Sequence, residues 1–138
     1  MIQADCGAGI GRVTKNFLLS RFQHVDLVER SPRLLGAAPE YVGANKDRIT
    51  CILSGLQVTC VYIFSCPTPK FVSHQDFLPQ PGRYDVIWIQ WVIGHLHDMD
   101  CIAFFRNCIT GLKPSGVICL KVSTLLRIFP LYCFHAVV

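Results

Sequence analysis

Near its start the chain runs "DCGAGIGR" (Asp5–Arg12), an acid followed by glycines at 7, 9 and 11 and closed by an arginine. Glycine lets a backbone turn tightly and approach a ligand with no Cβ in the way. A helix opening just after such a loop offers unpaired N–H groups. About twenty residues on, "HVDLVE" ends in Glu29, where a carboxylate can accept both hydroxyls of a ribose. Further along, "WIQWVIGHL" (Trp88–Leu96) sets Gln90, Trp91 and His95 within a few positions of one another. An imidazole there is a candidate proton acceptor at neutral pH, and an indole a flat apolar wall. Read alone, His95 is more readily a strand-end histidine satisfied by backbone.

These residues need a scaffold, and the chain alternates strand and helix patterns. "IQAD" (Ile2–Asp5) predicts a first strand, and "GRVTKNFLLSRF" (Gly11–Phe22) a helix, with Val13, Phe17, Leu18 and Phe22 at helical spacing. His24–Glu29 predicts the second strand. "SPRLLGAAPEYV" (Ser31–Val42) has a Ser N-cap and Pro at the first helical position, with Pro39 expected to end or kink it. Strands are predicted at Arg48–Leu53 and at Tyr84–Trp91, the latter an unbroken apolar run suited to burial on both faces. A helix over Met99–Leu112, a turn at Lys113–Gly116 and a strand at Val117–Val122 follow. Repeated βα units imply a doubly wound α/β fold with a mostly parallel sheet. Ligands bind in such folds beyond the carboxyl ends of the strands, where Gly7, Gly9 and Gly11 fall.

Composition narrows the partners. With 138 residues, one domain is expected, and half the residues are hydrophobic. The net charge of +4 is spread without basic runs, which argues against a nucleic-acid footprint and a membrane surface. No signal peptide or membrane-length apolar run is evident, so an intracellular protein is expected. The eight cysteines form no C-x-x-C pair and several sit in apolar runs, so reduced core thiols are expected and no metal. "HLHDMD" (His95–Asp100) crowds its potential ligands too tightly for a standard zinc spacing.

The glycine spacing is G-x-G-x-G, with Arg12 where a dinucleotide loop has its third glycine. That spacing is the one of S-adenosylmethionine-dependent methyltransferases, a nicotinamide enzyme or a plain glycine turn being the alternatives. With "DCGAGIGRVTK", "GLQ" and "YDVIWIQWVIGHL" taken together, the chain resembles the protein α-N-terminal methyltransferases, which methylate the free α-amine of proteins beginning Xaa-Pro-Lys. The resemblance covers Ile2 to Gln57 and Asp76 to Lys121. It implies a class I, Rossmann-like methyltransferase fold with S-adenosyl-L-methionine as cofactor, in the nucleus and cytoplasm. Gly7, Gly9 and Arg12 would contact the methionyl half, Glu29 the ribose with Arg30 and Ser31 beside it, and Leu56 and Gln57 the adenine. Gln90 would face the reacting end, Trp91 would pack on the substrate's first residues, and His95 would lie beside the α-amine as the catalytic base.

The pattern also departs from the family. After Lys121 the family continues Asp-Asn, which binds substrate and helps deprotonate the amine, whereas this chain has Val122 and Ser123. Residues 58–75 read as an atypical insertion and 122–138 as a divergent tail. Each begins with Val, whose codon starts with GT, so both are read as translated intronic sequence. The expectation is therefore one incomplete domain, 1–138, lacking the family's last two strands and its N-terminal lid helices. The fifth strand would be left as an edge with unpaired backbone groups, along which the tail could pair only with a ladder that Pro130 interrupts. Methyl transfer would be impaired; the alternative is an inactive fragment that binds cofactor weakly or serves as an interaction module.

Overall fold

Apolar runs flanked by helical patterns bury one side of each helix against a sheet, and that is how this chain folds. A computed structural model describes residues 1–56 and 77–122 and the backbone of 131–135. Strands β1 (Ile2–Cys6), β2 (His24–Glu29), β3 (Ile49–Leu53), β4 (Tyr84–Gln90) and β5 (Leu112–Lys121) are parallel. A sixth, β6 (Leu131–His135), joins antiparallel, giving the order β3-β2-β1-β4-β5-β6. The switch in strand order lies between β1 and β4, so the ligand crevice of a doubly wound sheet opens above Cys6 and Gln90. The fold is the Rossmann-like class expected.

Alternation along each strand divides the core. Ala4, Cys6, Ile87 and Ile89 pack with Phe104 and Cys108 of α3 (Asp98–Gly111) on one face. Val25, Leu27, Trp88 and Cys119 face the other way, toward Leu18, Leu19 and the buried side of α2 (Pro32–Val42). Each full burial of such a side chain is worth about 1.5–3 kcal/mol, so the two faces anchor the sheet independently of the loops above it.

Four local expectations are corrected. The helix read over Gly11–Phe22 is only α1 (Arg12–Asn16), followed by a 3-10 turn at Leu18–Ser20. Phe17 breaks it with φ −133° while its ring packs on Trp88, centroids 5.2 Å apart. Pro39 does not end α2, which continues to Val42. A proline removes the hydrogen bond to the carbonyl four residues back, and here that carbonyl, on Leu35, lies 4.0 Å from the Cys51 thiol donating to it from β3.

The Lys113–Gly116 turn is absorbed into β5 as a bulge, with the register to β4 shifting between Tyr84 and Val86 and Ser115 at φ 67°. Finally, β5 is not an open edge. The tail pairs along it over Leu131–His135. Residues 58–75, read as an insertion, lie outside the described residues.

Candidate active site

The glycine loop leaves β1 and is drawn to the end of β2 by backbone bonds. The N–H groups of Gly7 and Ala8 both donate to the Val28 carbonyl, at 2.9 and 3.1 Å. Gly7 has φ 75°, and a Cβ there would fall 2.9 Å from Cβ of Val92. That position accepts only glycine. Gly9 is also left-handed, at φ 59°, but a Cβ on it would meet nothing within 4 Å.

Glu29 closes β2 and is 8% exposed. One carboxylate oxygen accepts the Gly9 N–H at 3.0 Å and the other accepts the Ser31 N–H at 2.8 Å. Each oxygen thus has one backbone donor and capacity for a second, with the carboxylate held at the wall of a cavity. Ser31 is tied into the turn itself: its hydroxyl caps α2 by accepting the Leu34 N–H at 3.4 Å. Arg30, beside it, is exposed.

Asp5 lies beneath the loop, 2% exposed, and accepts the Thr14 hydroxyl at 2.6 Å. Burial pushes its carboxyl up to about 6, against the lowering effect of Thr14, and the Glu29 carboxylate adds to the rise.

The end of β4 supplies the opposite wall. Gln90 accepts the indole N–H of Trp88 at 3.2 Å. Trp91 takes φ 57°, a left-handed conformation uncommon for an aromatic residue, and its N–H donates to the Lys121 carbonyl at 3.0 Å. Such strain persists only where surrounding structure enforces it and is concentrated at functional sites. The Trp91 ring is 48% exposed, with Lys121 Nζ 5.5 Å from its centroid. His95 sits in a 3-10 turn (Ile93–His95), its N–H bonded to the Val92 carbonyl and its side chain exposed.

Two cavities adjoin across a partition made by Gly7, Gln90 and Trp91. The first, about 340 Å³, is lined by Glu29, Arg30, Leu56 and His95 among others. The second, about 660 Å³, is lined by Gly9, Arg12, Asp5, Trp88 and Lys121 among others. The sequence-predicted residues therefore gather around one partition, with Glu29, Leu56 and His95 on one side and Arg12 on the other. Gln57 lies outside the described residues. Sequence reading passed over Asp5, Ser54, Val92 and Lys121 as wall residues. Asp5 stood inside the quoted motif, and its spacing before Thr14 was the available signal; Val92 is legible only once the strand order is known.

A family model described as AdoMet dependent proline di-methyltransferase matches residues 1–126. N-terminal Xaa-Pro-Lys N-methyltransferase 1 of Danio rerio is 46% identical over 117 residues, covering 85% of this chain and 45% of that protein. Alpha N-terminal protein methyltransferase 1 of rice (Oryza sativa subsp. indica) is 48% identical over 121 residues, covering 88% of this chain and 36% of that protein. The chain thus spans less than half the length of these curated relatives. A solved S-adenosylmethionine-dependent methyltransferase of Leishmania major superposes with TM-score 0.69 at 30% identity, covering 88% of this chain and 42% of that one. The fold also matches, at 21% identity and TM-score 0.68, a phosphoethanolamine N-methyltransferase of Haemonchus contortus solved with phosphoethanolamine and S-adenosylhomocysteine; 90% of this chain and 22% of that one are covered.

Proposed function

This chain belongs to the AdoMet dependent proline di-methyltransferase family, and from that premise we propose that it methylates the α-amino group of proteins whose sequence begins Xaa-Pro-Lys. The family's cofactor is S-adenosylmethionine, and the residues present fit it. A buried carboxylate with spare acceptor capacity suits a ribose diol. An open, left-handed Gly9 leaves room for a ligand against backbone, and the Arg12 guanidinium beside it suits a methionyl carboxylate. When bound, the cofactor supplies an already activated sulfonium methyl.

The protein's tasks are then positioning and deprotonation. Glu29, with Arg30 and Ser31 at the same turn, would hold the ribose; Leu56 and Gln57 would flank the adenine; Gly7, Gly9 and Arg12 would hold the methionyl end. Gln90, fixed by Trp88, would orient the reacting end, and Trp91 would pack on the first substrate residues. An α-amine has a pKa of about 7.7–8.0 and is mostly protonated at neutral pH. His95 would accept that proton directly or through water. The observation that carries the reading is the convergence of glycine loop, Glu29 and the Gln90–Trp91 strand end on adjoining cavities.

One observation favours a second reading, a module that binds cofactor with little turnover: Val122 stands where the family has an amine-handling acid. The loss of such a group lowers a rate by about 10²–10⁴-fold. Mass spectrometry of a Ser-Pro-Lys peptide incubated with the chain and S-adenosylmethionine decides between them. The proposal predicts mass gains of whole methyl groups on the α-amine, slower than with the zebrafish relative. Cofactor binding with no methylated product leaves the second reading. His95→Ala should lower turnover more than cofactor affinity, with partial recovery at higher pH; unchanged turnover at neutral pH would make His95 structural.

A further inference from the structure

Trp88 and Gln90 are two positions apart on β4, so their side chains leave the same face of the sheet. The neighbouring strands fix both backbones: Trp88 is in register with Asp5 of β1 and Cys119 of β5, and Gln90 with Lys121 of β5. The Trp88 ring is buried in the core of that face, against Phe17. Its one polar atom, the indole Nε1, donates to the Gln90 amide oxygen at 3.2 Å. An indole N–H can only donate, whereas an amide has one end that accepts and one that donates. The pair therefore fixes which end of the Gln90 amide turns toward the ring. Reversed, the amide would set donor against donor and leave a buried N–H unpaired, an arrangement that folded proteins rarely keep. Gln90 lines both cavities, so its NH2 end is the one left for a ligand.

We propose that Trp88 is a positioning residue, holding Gln90 as a hydrogen-bond donor toward the cavities so that the strand end recognises an oxygen acceptor on the cofactor. The inference rests on the reading that places the ribose at Glu29 and the methionyl end at Arg12, on either side of the partition that Gln90 helps to form. Both parts of that ligand carry oxygen acceptors. An amide free to turn is divided between two orientations, and a ligand that needs one of them binds less tightly by the fraction lost. The indole makes that selection before a ligand arrives, which is preorganisation. Only the N–H can do this. Burial of the ring stabilises the sheet face but does not choose between the two ends of an amide.

The test is a double-mutant cycle on the full chain, with S-adenosylhomocysteine affinity measured by calorimetry. Replacing Trp88 by benzothienylalanine keeps the fused ring and removes the N–H, and affinity should fall about 3–10-fold. In Gln90→Met the same replacement should cause no further loss, because the amide it orients is gone. Gln90→Glu keeps an acceptor for the indole but has no donor, and should bind no better than Gln90→Met. NMR reads the lock without turnover: the Trp88 indole proton should move upfield in unliganded Gln90→Met. In the native chain, S-adenosylhomocysteine should shift the Gln90 NH2 pair while the indole bond persists. Equal losses from the Trp88 replacement with and without the Gln90 amide would make Trp88 a packing residue and overturn the proposal. Native affinity in Gln90→Glu overturns it too, since the carbonyl would then be the end that meets the ligand. A native chain that does not bind S-adenosylhomocysteine removes the cofactor reading itself, and this inference falls with it.

Discussion

The two ends of the sheet treat charge differently. At the amino ends of the strands, carboxylates are paired across strands. Asp26 on β2 is fully buried; one oxygen accepts Arg83 Nε at 2.8 Å and the Tyr84 hydroxyl at 2.9 Å, and the other lies 3.4 Å from His24 Nε2. Asp85 on β4 accepts Lys113 Nζ at 2.8 Å and the Ile2 N–H at 2.7 Å. Burial works to raise the Asp85 pKa, but Lys113 and the Ile2 N–H outweigh it and hold the carboxyl below its ordinary value. At the carboxyl ends, Asp5 has a hydroxyl partner and a raised pKa, while Glu29 meets backbone N–H groups. The loop glycines and Trp91 take left-handed conformations there. At the amino end the charges meet side-chain partners, although the buried Gln3 amide and one Asp26 oxygen have no hydrogen bond among the described residues; the carboxyl end keeps acceptors and left-handed backbone at the cavities.

The largest effect that would break this contrast is at Gly9. A branched side chain in Gly9→Val is strained at φ 59° and projects into the cavity. S-adenosylmethionine binding should fall at least about 100-fold, a loss of roughly 2.7 kcal/mol or more. Equal calorimetric affinity in the two proteins would remove the loop from the site. At the other end, Asp26→Ala leaves the buried Tyr84 hydroxyl without its acceptor and should cost about 3 kcal/mol of stability. Denaturant unfolding measures that cost, and cofactor affinity of the folded protein should not change.

Glu29→Ala should weaken cofactor binding by about 1–3 kcal/mol through lost charge-assisted hydrogen bonds, with a smaller effect on unfolding. An equal loss of stability and no loss of affinity would make Glu29 a brace for the loop alone.

The smallest effect sharpens the comparison through pH. The Asp5 pKa is raised from 3.8 to about 6 in the folded protein. Its contribution to stability is therefore complete below pH 3.8 and is lost as pH rises through about 6. Asp5→Asn should stabilise the protein by about 1–2 kcal/mol at pH 7, with the advantage vanishing near pH 4. Denaturant midpoints at the two pH values decide it. Asp85, with its pKa lowered, has the opposite sign: its contribution is lost as pH falls.

Much of this was legible because it depends on local pattern. Strand alternation, the Ser31–Pro32 helix start and the glycine spacing each follow from residues close in sequence. The errors came where a distant partner decided. Pro39 lies inside α2, and the Leu35 carbonyl that it leaves without a helical donor has the Cys51 thiol, on another element, 4.0 Å away. The helix after Gly11 shortens because Phe17 turns to Trp88, seventy-one positions away. The tail has no period to read, and its strand is defined by the unpaired edge of β5 rather than by its own residues. In the site, the residues beside the glycine loop could be named from spacing, but the partition between two cavities arises only when β1 and β4 become neighbours.

Both tryptophans of the chain line the larger cavity, and Trp91 also forms the partition. Trp88 is 7% exposed with its indole N–H engaged by Gln90, and Trp91 is 48% exposed beneath a lysine ammonium. Excited at the red edge of indole absorption, the molecule emits from these two residues alone: a blue component from the shielded ring and a red one from the wetted ring. A ligand settling against Gln90 and Trp91 shifts and quenches the red component first, while unfolding merges the two. The native chain thus contains an optical reporter of its own cleft, with no label to add.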